Sequence, residues 1–241
     1  MGRVAERALP REAGRMTSVL FHWGPVTLYT YGFFVGLAAI FALWAGAWRA
    51  RAFGWETVVV SDFIALFAAG GIAGARLLYV VEHLPYFYGR WIDAFAVWQG
   101  GLSWFGGFAG AFLCGACYAR QKGFLIRRVA DFFAPIIAAA QGIGRLGCYF
   151  NQCCGGQIRF TVFATVWVVT AQLAEALYLF VIAFLLFRLS WQRKREGQIF
   201  FLYVFFYSIG RFLLEFVRFE RTMILGFSLP QWFCAVLFVG A

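Results

Sequence analysis

The chain has 241 residues, of which 63% are hydrophobic, 21% aromatic and only 13% charged. A soluble domain is nearer half apolar and a quarter charged, so this composition excludes one and specifies a polytopic membrane protein. The net charge of +10 does not argue for nucleic acid, because the basic residues sit in short clusters between apolar runs, which is the topology pattern of membrane helices.

A bilayer-crossing helix needs about 20 apolar residues. In chain order the predicted spans are 26–47, 61–81, 100–119, 129–150, 162–187, 199–216 and a short last one at 224–241. The period-2 alternation of a β-barrel is read as absent. The expected fold class is therefore all-α, a polytopic integral membrane protein with about seven transmembrane helices. Residues 1–15 carry four arginines and no apolar core, so they read as a disordered N-terminal extension and not as a signal peptide. Met16 is the expected native start, and 16–241 the single transmembrane domain.

Lysine and arginine set the orientation. The 48–58 connection carries Arg49 and Arg51, the 120–128 connection Arg120, Lys122, Arg127 and Arg128, and the 188–198 connection Arg188, Arg193, Lys194 and Arg195. The alternate connections are poorer. The three richer ones are expected in the cytoplasm, which places the N-terminus outside.

Ionisable residues inside spans are costly and mark functional sites. Asp62 and Asp131 lie near predicted cytoplasmic ends and read as structural helix-end residues. Arg76, Arg145 and Arg211 fall in the outer halves of their helices, and Arg211 and Glu215 share a helix face at i, i+4. Arg218 follows one turn later. A guanidinium fork binds two phosphate oxygens at once, so three of them near one leaflet predict a site for an anionic lipid head group. Purely structural pairing is the competing reading.

Glycines cluster at Gly70, Gly71 and Gly74 and again at Gly100, Gly101, Gly106, Gly107 and Gly110. They suit close helix packing or an irregular segment lining a cavity. Cys114 and Cys117, inside a predicted helix, read as small packing residues. Cys148, Cys153 and Cys154 follow Arg145 within nine residues and leave a disulfide, a metal site or reactive thiols open. A thiolate at Cys148 would be favoured by Arg145 three residues earlier, which makes Cys148 a candidate proton acceptor.

Several motifs fall in order along the chain. They are Tyr31-Gly32; Gly74-Ala75-Arg76-Leu77-Leu78-Tyr79; Trp98-Gln99-Gly100-Gly101-Leu102-Ser103 with Gly106-Gly107; and Gly144-Arg145-x-Gly147 through Asn151 to Gly156. Gln172-Leu173-x-Glu175 and Tyr207-x-x-Gly210-Arg211-Phe212-x-x-Glu215-Phe216-x-Arg218 complete the set. Together they resemble the prolipoprotein diacylglyceryl transferase family over nearly the whole chain from Met16. The resemblance implies a seven-span enzyme of the bacterial cytoplasmic (inner) membrane. Such an enzyme moves the diacylglyceryl group of phosphatidylglycerol to the lipobox cysteine thiol of a prolipoprotein signal peptide, with no cofactor and no metal.

It further implies Arg145 and Arg211 as catalytic residues, joined here by Cys148. Tyr31, Arg76, Gln99, Gly100, Gly101, Asn151, Gly156, Glu215 and Arg218 are the expected substrate-binding residues. Three positions depart from the family pattern: Phe105 stands for its usual histidine, Cys148 for an asparagine and Cys153 for a glutamate. Phe105 accepts no proton, so the base must lie elsewhere. Two other readings stand beside the transferase. One is an anionic-lipid-binding subunit of a membrane complex, whose other subunits would be its partners. The other is a thiol-redox or metal-handling membrane protein.

Overall fold

A computed structural model of the chain describes residues 19–23, 26–97, 100–151, 157–162, 165–191, 195–216, 223–224 and 227–228. The first described element is a hairpin of β1 (Val19–Trp23) and β2 (Val26–Tyr29), which runs directly into α1 (Thr30–Phe53). Next come α2 (Thr57–Glu82), the single turn α3 (Leu84–Phe87), a 3-10 turn (Trp91–Phe95), α4 (Trp104–Gln121) and α5 (Ile126–Phe150). A second hairpin, β3 (Gln157–Val162) with β4 (Thr165–Thr170), leads into α6 (Ala171–Ser190), and α7 (Gln198–Glu215) follows. β5 (Met223–Ile224) pairs with β6 (Phe227–Ser228).

Among the described residues, five helices are long and apolar enough to cross a membrane: α1, α2, α5, α6 and α7. The protein is a multi-pass membrane protein of the all-α class. α4 runs beside α2, and its glycines and terminal Arg120 and Gln121 lower its hydropathy.

Three predicted spans need correction. The span at 162–187 begins nine residues late as a helix, at Ala171, because 165–170 forms β4. β3 and β4 have six residues each and pair only with one another, short of the about 9–11 residues of a barrel strand, so the all-α reading holds. The span at 26–47 gives its first four residues to β2 and extends to Phe53. The span at 224–241 opens inside the β5–β6 hairpin, and its remainder lies outside the described residues, as do residues 1–15.

α5 is the most buried of the five helices and the centre of the bundle, with α1 and α6 packed against it and α7 against both α5 and α6. Its alanines make this possible. Ala134, Ala138 and Ala139 give a flat surface to Ile182, Ala183 and Leu186 of α6 and to Ile199 and Tyr203 of α7. An aromatic core sits at the α1–α2 turn, where Trp55 stacks on Phe132 at 4.6 Å and lies 4.7 Å from Phe124. α2 and α4 touch backbone to backbone. A Cβ added at Gly74 would stand 2.9 Å from Gly110 Cα, and one at Gly110 would meet the Gly70 carbonyl oxygen. Close packing therefore accounts for Gly106, Gly107 and Gly110, whereas Gly100 and Gly101 belong to the irregular segment before α4.

One end of the bundle is tied by Asp131, which is fully buried. Its carboxylate accepts hydrogen bonds from the Gly197, Ile199 and Phe200 amides at 2.7, 3.0 and 2.9 Å. A side chain of α5 thus caps the N-terminus of α7, where an anion also meets the favourable end of the helix dipole. Arg49 donates to Ser190 Oγ at 2.9 Å and packs over Phe53, Phe132 and Phe187. Pro135 has no N–H for the Asp131 carbonyl one turn back, and Arg49 Nη2 reaches that carbonyl at 3.5 Å. Arg49, counted above as a loop charge, is therefore a buried helical residue. Asp62 at the same end accepts from the Tyr118 hydroxyl at 2.7 Å.

Candidate functional site

At the opposite end, where α1 and α6 begin and α5 and α7 finish, four charges converge. Arg145 Nη2 on α5 lies 2.9 Å from Glu175 Oε1 on α6. Arg211 Nη1 on α7 lies 3.1 Å from Glu215 Oε2 and 4.0 Å from Glu175 Oε2. The i, i+4 spacing of Arg211 and Glu215 is realised as an ion pair on one face. Two arginines and two glutamates sum to zero, which is how charges persist among apolar helices. Arg145 is the most accessible, with 22% of its side chain exposed against 9%, 8% and 4% for Arg211, Glu175 and Glu215. Glu175 Oε1 and Arg211 Nη1 are buried without a hydrogen bond of good angle, so charge rather than directed bonding holds them.

Small residues let the helices close around this group. Phe34 of α1 crosses Gly147, and the Tyr31 ring lies 3.5 Å from where a Cβ there would stand. Phe34 stacks on Phe150 at 5.3 Å. The Tyr178 ring sits against Gly210, just before Arg211, while its hydroxyl donates to the Phe206 carbonyl at 2.5 Å. Farther into the bundle, the Tyr203 hydroxyl donates to Gln141 Oε1 at 2.8 Å and its ring stacks on Tyr207. Gln172 is buried one turn before Glu175, and Cys148 is buried one turn after Arg145. Asn151 closes α5, its amide donating to the Gly147 carbonyl at 3.0 Å.

Arg76, Gly100 and Gly101 form a second group. Arg76 is buried and donates to the carbonyls of Asp93, Ala94, Gly100 and Gly101 at 2.6, 2.8, 2.6 and 3.0 Å. Its guanidinium also lies over Tyr79 and Phe87. Gly101, at φ +71, takes the Tyr79 ring directly against its Cα, a place with no room for a side chain. Arg76 therefore fastens the 88–103 connection. Phe105, in the first turn of α4, is half-exposed and edge-on to Trp104.

Among the described residues no three of His, Cys, Asp or Glu gather as a metal site. Cys114 lies with its Sγ against Gly70, in a packing position. Gln99, Gly156, Arg218, Cys153, Cys154 and Cys234 lie outside the described residues or have no described side chain. Glu175 is the residue that sequence reasoning left out of the site. One signal could have found it: it is the sole acidic residue of α6, and an acid buried among arginines pairs with them.

The family profile described as prolipoprotein diacylglyceryl transferase matches residues 18–241. A phosphatidylglycerol–prolipoprotein diacylglyceryl transferase of Geobacillus kaustophilus is 32% identical over 224 residues, covering 86% of this chain and 83% of its own. One from Streptomyces coelicolor, numbered 1, is 33% identical over 92% of this chain and 69% of its own. One from Cutibacterium acnes is 33% identical over 92% and 81%.

Proposed function

The chain belongs to the prolipoprotein diacylglyceryl transferase family, and from that membership we infer that Arg145 and Arg211 clamp the phosphate of phosphatidylglycerol while its diacylglyceryl group passes to a prolipoprotein. The protein is a membrane transferase of lipoprotein biosynthesis. The acceptor is the lipobox cysteine thiol of the signal peptide. Its sulfur attacks the glyceryl carbon, the carbon–oxygen bond to phosphate breaks, glycerol phosphate leaves and a thioether forms. Negative charge grows on the leaving phosphate, and the two guanidiniums that hold it stabilise that charge.

The observation that carries this reading is the convergence of Arg145 and Arg211 from two helices on one buried carboxylate. Glu215 orients Arg211 through their 3.1 Å pair. Tyr31 and Asn151 border the same end, and the family resemblance assigns Gln99, Gly156 and Arg218 to substrate binding. Arg76, Gly100 and Gly101 act by shaping the connection before α4. The membrane is the bacterial cytoplasmic one, with the Asp131 end in the cytoplasm and the N-terminus and Arg145 end outside.

The test is transfer from phosphatidylglycerol to a lipobox peptide by purified protein, read as the mass gain of the peptide. Arg145→Ala and Arg211→Ala should each lower the rate by about 10²–10³-fold, as loss of one transition-state donor does. Near-wild-type transfer by both variants would make these arginines structural.

A further inference from the structure

We propose that Glu175 is the base that takes the proton of the acceptor thiol, and that arrival of the lipid phosphate is what frees it to do so. This rests on the transferase reading above. The reaction needs a proton acceptor, because the thiolate and not the thiol is the nucleophile. Arg145 and Arg211 cannot accept a proton. Glu215 is the more deeply buried glutamate, 4% exposed against 8% for Glu175, and pairs with Arg211 on its own helix. Glu175 stands between both arginines, and its buried Oε1 has a guanidinium 2.9 Å away but no directed hydrogen bond. That oxygen keeps a lone pair for a proton.

In the unliganded site the Arg145 guanidinium lies 2.9 Å from Glu175 Oε1 and stands between that oxygen and any incoming thiol. Arg145, the most exposed member, is the one able to turn toward an incoming phosphate, which offers it two oxygens. Once both guanidiniums face the phosphate, Glu175 Oε1 no longer has Arg145 against it and is open to the thiol proton.

The charges then balance through the step. The bound phosphodiester carries one negative charge and Glu175 another. The thiol proton moves to Glu175, sulfur forms its bond to the glyceryl carbon, and the electron pair of the broken carbon–oxygen bond leaves on phosphate. The leaving phosphate now carries two charges and Glu175 none. Glu175 returns the proton to the departing glycerol phosphate and re-pairs with Arg145. The two arginines face the same total negative charge throughout.

The experiment uses the full chain in phosphatidylglycerol vesicles with two lipobox peptides, one with cysteine and one with selenocysteine, whose selenol ionises at neutral pH unaided. Glu175→Gln should lose about 10²–10⁴-fold on the cysteine peptide, the scale of a missing general base. It should regain most of the wild-type rate on the selenocysteine peptide and retain lipid as wild type does. Arg145→Ala should fail with both peptides. Near-wild-type transfer to cysteine by Glu175→Gln overturns the proposal, and so does its equal failure on both peptides. Selenol rescue of Cys148→Ser instead would move the role to Cys148. If Glu175→Gln does not fold, Glu175→Asp carries the test. It should slow the cysteine peptide more than the selenocysteine peptide, and equal slowing overturns the proposal. Wild type inactive with both peptides would sink the transferase reading itself.

Discussion

Single residues hold the ion-paired cluster at one end of the bundle and the packing at the other. Lysine at position 145 keeps the charge of Arg145 but presents a compact ammonium without a planar fork. Arg145→Lys should therefore transfer almost as poorly as the alanine variant in the same peptide assay. Asp131 is the corresponding residue for stability. Its carboxylate satisfies three backbone amides, and Arg49 lies against its backbone. Asp131→Ala would strand these three donors, a loss of at least about 1–3 kcal/mol, the cost of one buried donor left unsatisfied. Thermal unfolding in detergent should show it, with Asp131→Asn falling less because one oxygen remains.

At the scale of elements, α2 and α4 meet backbone to backbone where Gly70 and Gly74 face Gly106 and Gly110. Gly74→Leu or Gly110→Leu would push the backbones apart, costing about 1–3 kcal/mol or more as overpacking does, and should lower the melting temperature in detergent. Arg76→Ala should act more locally. Hydrogen exchange should rise across 90–103, whose carbonyls it holds, and remain unchanged in α5, α6 and α7. The sequence made α1, α2, α5 and α7 legible because an uninterrupted apolar run of bilayer length has one cheap conformation. It hid the β3–β4 hairpin, because the valines and Trp167 of β4 continue without a break into the apolar face of α6. Arg145, Arg211 and Glu215 were legible as charges that apolar surroundings do not tolerate idly. Glu175 as their hub, Arg49 as a buried residue and Asp131 as the cap of α7 were not, because each depends on contacts between helices far apart in sequence.

The whole molecule places its basic connections at one end and its ion-paired site at the other. An impermeant thiol reagent applied to intact cells, on a background without native cysteines, should label a cysteine at Tyr88 and spare one at Lys122. Labelling at 122 would reverse the orientation. The Asp131 end joins its helices by directed hydrogen bonds to backbone, whereas the Arg145 end is joined by charge, with one partner exposed to exchange. In mechanical terms the bundle resembles a clothes peg, with the hydrogen-bonded end as pivot and the ion-paired end as jaws. α5 spans 25 residues, a lever of about 38 Å at 1.5 Å per residue. A rocking of only about 3° at the pivot would shift the jaws by roughly 2 Å over such a length. Such travel would take the 2.9 Å Arg145–Glu175 contact beyond ion-pair reach while the hydrogen bonds at Asp131 stayed made.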